Sequence, residues 1–177
     1  MKKNTYNKTW YSCLIYSILI ASILIFYSPI KLSCGLRDFF LGILFGLCIY
    51  VLSFIVKILS SRSFLFRTET HRFKINIGNR IQYCPLLLSI SSTVAEELLL
   101  RSYALYLCSQ YFPIHISIVI NSILFYLIHF DKRIFELTIS AVVYCLVVIY
   151  TGNVFTSVVA HIFYNLLTYL VYEKKDK

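Results

Sequence analysis

The chain has 177 residues, of which 59% are hydrophobic and 14% charged, with a formal net charge of +9. This length suits one compact domain, and the composition is too apolar for an ordinary soluble one. The positive charge lies mostly in loops, with no basic helix and no aromatic–basic interleaving, which excludes a nucleic-acid-binding surface.

Six apolar segments follow in order. Residues 10–30 carry no charge, and neither do residues 39–56. At ~1.5 Å per residue each is long enough, or nearly so, to cross a hydrocarbon core of ~30 Å. The basic start and apolar core of the first resemble a signal peptide, but its apolar run is long and no A-x-A site follows, so it is read as a retained span. Cys34, preceded by Lys31, Leu32 and Ser33, makes a poor lipoprotein box. Gly42 and Gly46 form a G-x-x-x-G on the second span, a motif that permits close helix approach but is common by chance in apolar helices. Residues 57–80 are the one sizeable polar segment, with Phe64, Phe66, Phe73, Ile75 and Ile77 among its Lys and Arg. It is expected either to lie along the membrane interface or to form a solvated loop. The third span begins near Pro85, a good first-turn residue, and runs to about Gln110. Pro113 opens the fourth, which ends near Phe130. A tight turn at 131–133 precedes the fifth span, residues 134–150, and Gly152 suits the left-handed end of that helix. The sixth covers residues 154–172.

The expected fold is therefore an all-α, polytopic membrane bundle of about six transmembrane helices. It forms one integral membrane domain, in which residues 1–84 supply two spans and a basic loop and residues 85–172 supply four spans. With six spans, fourteen of the seventeen Lys and Arg fall on one side and two on the other. That asymmetry places both termini in the cytoplasm of a multi-pass cell-membrane protein. The basic face also suits anionic lipid. The six Cys contain no C-x-x-C and fall mostly in or near apolar spans, so they read as small buried hydrophobes.

Three pairs at four-residue spacing carry the chemistry: Glu97 with Arg101, Phe125 with His129, and His161 with Asn165. Such spacing puts both members on one helix face. Ionisable groups inside a membrane are costly, so they face a protein interior or a wet cavity and mark function. Glu96 and Glu97 point about 100° apart, so they take different roles. Glu97 pairs with Arg101 and braces its helix, while Glu96, with no local cation, suits proton exchange with water. His161 and Asn165 present an imidazole N–H and an amide N–H that can serve one developing oxyanion. Singly, these residues read as ion-pair or helix–helix hydrogen-bond networks, with His129 an interface residue and Phe125 simple packing. His71 and His115 have no partner at helical spacing and are left out of the site. A zinc site from Glu96, His129 and His161 with an open position for water is the alternative. No H-E-x-x-H is present, and the residues come from different helices, so a metal-free site with no cofactor is favoured. Glu96 lies eleven residues past Pro85, whereas His129 is only two before Asp131. A recessed turn at 131–133 and a cytoplasm-facing mouth are therefore expected.

The order E-E-x-x-x-R, F-x-x-x-H, H-x-x-x-N resembles the CPBP family of intramembrane proteases, which includes type II CAAX prenyl endopeptidases, bacteriocin-processing enzymes and bacteriocin self-immunity (Abi) proteins. The likeness covers residues 85–172, with Gly152, Asn153, Leu166 and Leu167 also in keeping. Leu100 and Ser102 depart from the Phe and Gly frequent around the family's Arg. The resemblance implies a glutamate-type peptidase acting on a membrane-associated peptide or protein tail. Glu96 and His129 would activate water, His161 and Asn165 would form the oxyanion hole, and Glu97, Arg101 and Phe125 would support the site. A non-enzymatic immunity or scaffold role that binds a partner peptide is the second reading. A transport pathway is a third, lowered by the absence of two balanced inverted halves.

Overall fold

The computed structural model describes residues 2–61, 83–129 and 134–173. The basic segment over 62–82 and the turn at 131–133 lie outside the described residues, so the expectations made for them are not addressed. Among the described residues there are six helices and no strand. They are α1 (Lys2–Phe26), α2 (Leu36–Ser61), α3, α4 (Ile114–His129), α5 (Ile134–Thr151) and α6 (Val154–Glu173). α3 runs as Tyr83–Glu97, passes through a π-helical stretch at Leu98–Ala104 and finishes as Leu105–Tyr111.

The breaks between helices follow from local chemistry. α1 stops at Phe26 rather than reaching residue 30 as expected, because Pro29 has no N–H and constrains the residue before it. Phe112 precedes Pro113 and is extended, at φ −128° and ψ 151°, as pre-proline sterics favour. The Pro113 carbonyl then accepts from Ile116 N and Ser117 N at 3.0 and 3.1 Å, opening α4. Gly152 closes α5 at φ +62°, and its N–H reaches the Val148 carbonyl at 2.8 Å. The next residue starts α6: Asn153 Oδ1 accepts from Phe155 N at 3.1 Å, an N-cap contact. The Asn153 amide also donates to the Ser33 carbonyl at 2.8 Å and to Asp38 Oδ2 at 2.8 Å. Val154 N meets the Lys31 carbonyl at 3.1 Å. The α1–α2 connection is thus clamped to the α5–α6 turn.

α6 is the central helix. Over Val154–Thr168 none of its residues is exposed. α2 lies along α6, α1 along α3, and α4 against α5. Elsewhere the polarity of a soluble protein is reversed. Large apolar side chains such as Ile23, Phe40, Phe54, Leu107, Val119 and Leu146 face outward. Glu97, Arg101, Asn121, Ser157 and His161 are buried inside. An apolar exterior around a polar interior suits a hydrocarbon surround. Among the described residues one helix, over Leu36–Val56, meets the requirement for a membrane span by length and composition alone, while Cys13–Phe26, Ile114–His129, Phe135–Thr151 and Val154–Thr168 are shorter apolar stretches.

The G-x-x-x-G of α2 faces α6. A Cβ on Gly42 would lie 2.6 Å from Val159 Cβ and 2.9 Å from the Thr156 carbonyl, and one on Gly46 would lie 2.6 Å from the Ala160 carbonyl. Those carbonyls belong to a helix backbone and cannot swing aside. The motif given little weight from sequence is therefore the contact on which the first hairpin rests. Gly46→Ala is expected to cost about 1–3 kcal/mol, as overpacking does. A thermal-unfolding midpoint in detergent equal to that of the wild type would show that the two helices do not pack this closely.

Candidate active site

The six titratable or amide side chains singled out from sequence converge between α3, α4 and α6. Glu96, His129, His161 and Asn165 line one cavity of about 220 Å³, with Phe125 in its wall. Glu97 and Arg101 do not line it; they sit behind it, both fully buried. Of the three residues expected to support the site, Phe125 lies in the cavity wall and Glu97 and Arg101 lie behind it.

The support is a buried polar network. Glu97 Oε2 accepts from Ser157 Oγ at 2.5 Å, and Oε1 meets His161 Nδ1 at 2.9 Å. Arg101 Nε approaches Glu97 Oε2 at 3.5 Å without making a hydrogen bond, so the contact is ionic. The guanidinium instead rests on aromatic faces, 4.6 Å from the Phe125 ring centre and 5.3 Å from that of Tyr144, a favourable cation–π arrangement. Phe125 is consequently more than packing: its ring also lies 4.3 Å from that of His129 and 6.0 Å from that of His161.

The two imidazoles are each fixed at one nitrogen. His129 Nδ1 lies 2.9 Å from the Phe125 carbonyl. A carbonyl only accepts, so Nδ1 carries hydrogen and Nε2 is left for Glu96, whose Oε2 is 3.8 Å away. That separation is too long for a direct hydrogen bond and suits a bridging water. His161 is fixed by Glu97 in the same way. An ionised carboxylate only accepts, so Nδ1–H donates and Nε2 is the nitrogen left over. Asn165 is tied as well: its Nδ2 donates to Thr93 Oγ1 at 3.1 Å. His161 and Asn165, the pair expected to serve a developing oxyanion, are thus each held in place by a residue of α3.

Several contributors were not singled out from sequence. Thr93 and Ser157 carry no signal beyond their spacing on α3 and α6: Thr93 is four residues before Glu97, and Ser157 four before His161. Asn121 has no such pattern. Its Nδ2 donates to the Leu100 carbonyl at 2.6 Å, and its Oδ1 faces Cys145 Sγ at 3.3 Å. Leu100 O also receives Leu105 N–H, the i→i+5 bond of the π turn. Asn121 therefore anchors the wide turn that carries Arg101. Leu100 and Ser102, where the sequence departs from the family pattern, are both buried, and Ser102 Oγ bonds Ser28 Oγ at 2.7 Å. His115, left out of the site, is exposed on α4. Among the described residues no group of three His, Cys, Asp or Glu is arranged to hold a metal ion.

Arg101→Met would leave Glu97 buried without its cation. Breaking one partner of a buried pair costs about 3–5 kcal/mol, so a large drop in thermal midpoint is expected. The double variant with Glu97→Gln should recover part of it. A single variant as stable as the wild type would mean that the pair contributes no net attraction.

Comparison with known families agrees with this geometry. Residues 82–167, just under half of the chain, match the family model described as type II CAAX prenyl endopeptidase Rce1-like. No curated protein and no solved structure matches the chain. The matched segment contains all three motifs and every side chain of the cavity named above. From residue 82 to residue 167, then, this chain is similar to the Rce1-like, type II CAAX prenyl endopeptidases, a family of membrane-associated proteases.

Proposed function

We propose that this protein is an intramembrane endopeptidase that hydrolyses a peptide bond in a membrane-associated peptide or protein tail, with Glu96 and His129 activating the water. The observation that carries this reading is the facing pair itself, Glu96 Oε2 and His129 Nε2 at 3.8 Å across the cavity. Both atoms are acceptors when His129 is neutral, so one water can donate a hydrogen to each. Its oxygen lone pairs are then free to attack a carbonyl carbon. As the C–O bond forms, the water's proton passes to the Glu96 carboxylate. The negative charge moves to the carbonyl oxygen, where His161 Nε2–H and the second amide hydrogen of Asn165 stabilise it. His161 donates there as imidazolium, because Nδ1–H is already committed to Glu97, and that carboxylate offsets the added charge. Collapse of the tetrahedral species breaks the C–N bond, and Glu96 returns its proton to the leaving amine. The products are a carboxylic acid and an amine, the acid gives its proton to water, and the site is restored.

Every step uses side chains of the chain alone, so the reading is metal-free with no cofactor. A cavity of about 220 Å³ is small beside the ~300–1,000 Å³ of drug-sized ligand sites. It admits the reacting peptide group and little more, and the rest of the substrate lies outside it. Six membrane crossings with both termini cytoplasmic, and contact of the 57–80 segment with anionic headgroups, complete the proposal on the charge asymmetry described above.

Purified protein in lipid vesicles should cleave a farnesylated CAAX-type peptide or its unprenylated counterpart, and the comparison reads out whether the lipid is required. Glu96→Gln removes the base with little change in shape. Cleavage is expected to fall by on the order of 10²–10⁴-fold, the usual contribution of a general base. Undiminished turnover in that variant would end the glutamate mechanism. Activity is also expected to survive a strong chelator such as 1,10-phenanthroline. Loss in the chelator with recovery on added zinc would turn the assignment to a metallopeptidase.

A further inference from the structure

Tyr144 carries no motif in the sequence, yet the fold puts it in the cavity wall. It is 1% exposed. Its ring stacks on that of His161, with centres 4.7 Å apart and planes 27° from parallel. Its hydroxyl is buried and has no hydrogen-bond partner among the described residues. The other buried side-chain atoms in that condition are the Arg101 nitrogens and Thr156 Oγ1, and neither residue lines the cavity. Arg101 has aromatic faces and Glu97 in compensation. Tyr144 is therefore the one cavity-lining residue among those described whose buried polar atom is left open. Buried phenols ordinarily find a partner, so an open one beside a reactive centre points to a partner that arrives with the substrate.

The chemistry of the cavity says which partner. Glu96 is an acceptor, and neutral His129 presents an acceptor at Nε2. One hydrogen of the Asn165 amide is already spent on Thr93. Besides Tyr144, the donors assigned to the reacting carbonyl are His161 Nε2–H and the second amide hydrogen of Asn165, and an acyl-transfer transition state develops negative charge on that oxygen. A neutral phenol donates well to such an oxygen. Stacking on His161 holds the ring parallel to the imidazole assigned to that same oxygen.

Building on the hydrolytic reading above, we propose that the Tyr144 hydroxyl is a third oxyanion donor, hydrogen-bonding the scissile carbonyl oxygen beside His161 and Asn165. No proton leaves it. The bond strengthens as the carbonyl becomes an alkoxide and relaxes when the C–N bond breaks.

Tyr144→Phe tests this with little disturbance, since Phe keeps the ring against His161 and beneath Arg101 and removes one oxygen. The thermal midpoint should be unchanged or raised, because a buried open hydroxyl has gone. Turnover of the peptide in vesicles should fall by on the order of 10²-fold, the usual loss for one oxyanion donor. kcat and kcat/KM should fall together, with KM held. Binding of a peptide aldehyde, whose hydrate mimics the tetrahedral species, should weaken at least tenfold, while binding of the matching uncleaved amide should not. If kcat stays within about twofold of the wild type while Glu96→Gln is inactive, Tyr144 only packs and the proposal falls, with the hydrolytic reading intact. If Glu96→Gln itself still cleaves, the hydrolytic reading fails and the oxyanion role fails with it. A Phe variant too unstable to purify would show that the hydroxyl serves the fold, which also overturns the proposal.

Discussion

A single buried carboxylate organises this protein. Glu97 is fully enclosed and meets Ser157, His161 and Arg101 at once. A charge taken out of water is costly unless cations and donors surround it, and here they come from two helices. Two consequences follow. α3 and α6 are locked in one register, because sliding either would strip partners from Glu97. The His161 ring is also held by one nitrogen, so the other has a definite position. Fold and candidate chemistry thus rest on the same contact, and the acid one residue earlier is left outside it, in the cavity.

A π-helical stretch follows directly on the two glutamates and carries the cation of the buried pair. Glu97 is the last residue before it, and Arg101 lies within it. A wide turn leaves backbone carbonyls less well satisfied than an α-helix does, and such turns recur at functional sites. The carbonyl of Leu100 takes both its own i→i+5 partner and the Asn121 amide from α4. Asn121 thus acts on the site at a distance, through the backbone that carries Arg101. The clamp of Asn153 onto Ser33 and Asp38, with the close approach of Gly42 and Gly46 to α6, plays a similar part for the first hairpin. It attaches α1 and α2, which lie outside the matched family segment, to the helices that carry the cavity.

Much of this was legible from the chain alone. Helix limits near Pro113, Gly152 and Asn153 followed from backbone chemistry that acts within a few residues. The motif residues stood out because charged and imidazole groups in apolar helices have few innocent explanations. Less was legible where the meaning of a residue depends on what faces it. Thr93, Ser157 and Tyr144 are ordinary in any apolar helix, and only the partner makes them notable. The π turn had no local mark. α1 ends sooner than its uncharged run, because apolar character continues past the proline that stops the helix.

The order and spacing of Glu96, Glu97, Arg101, Phe125, His129, His161 and Asn165 determined which helix faces had to be polar, since side-chain direction repeats every turn and hydrocarbon tolerates no stray charge. Only the tertiary structure decided how those faces pair: Glu97 with His161 rather than with Arg101 alone, Asn165 with Thr93, and Tyr144 in the cavity wall with its buried hydroxyl unpartnered among the described residues. Pairings across helices depend on crossing angle, depth and rotation, which arise from the packing of all six helices together and are encoded in no single stretch of sequence.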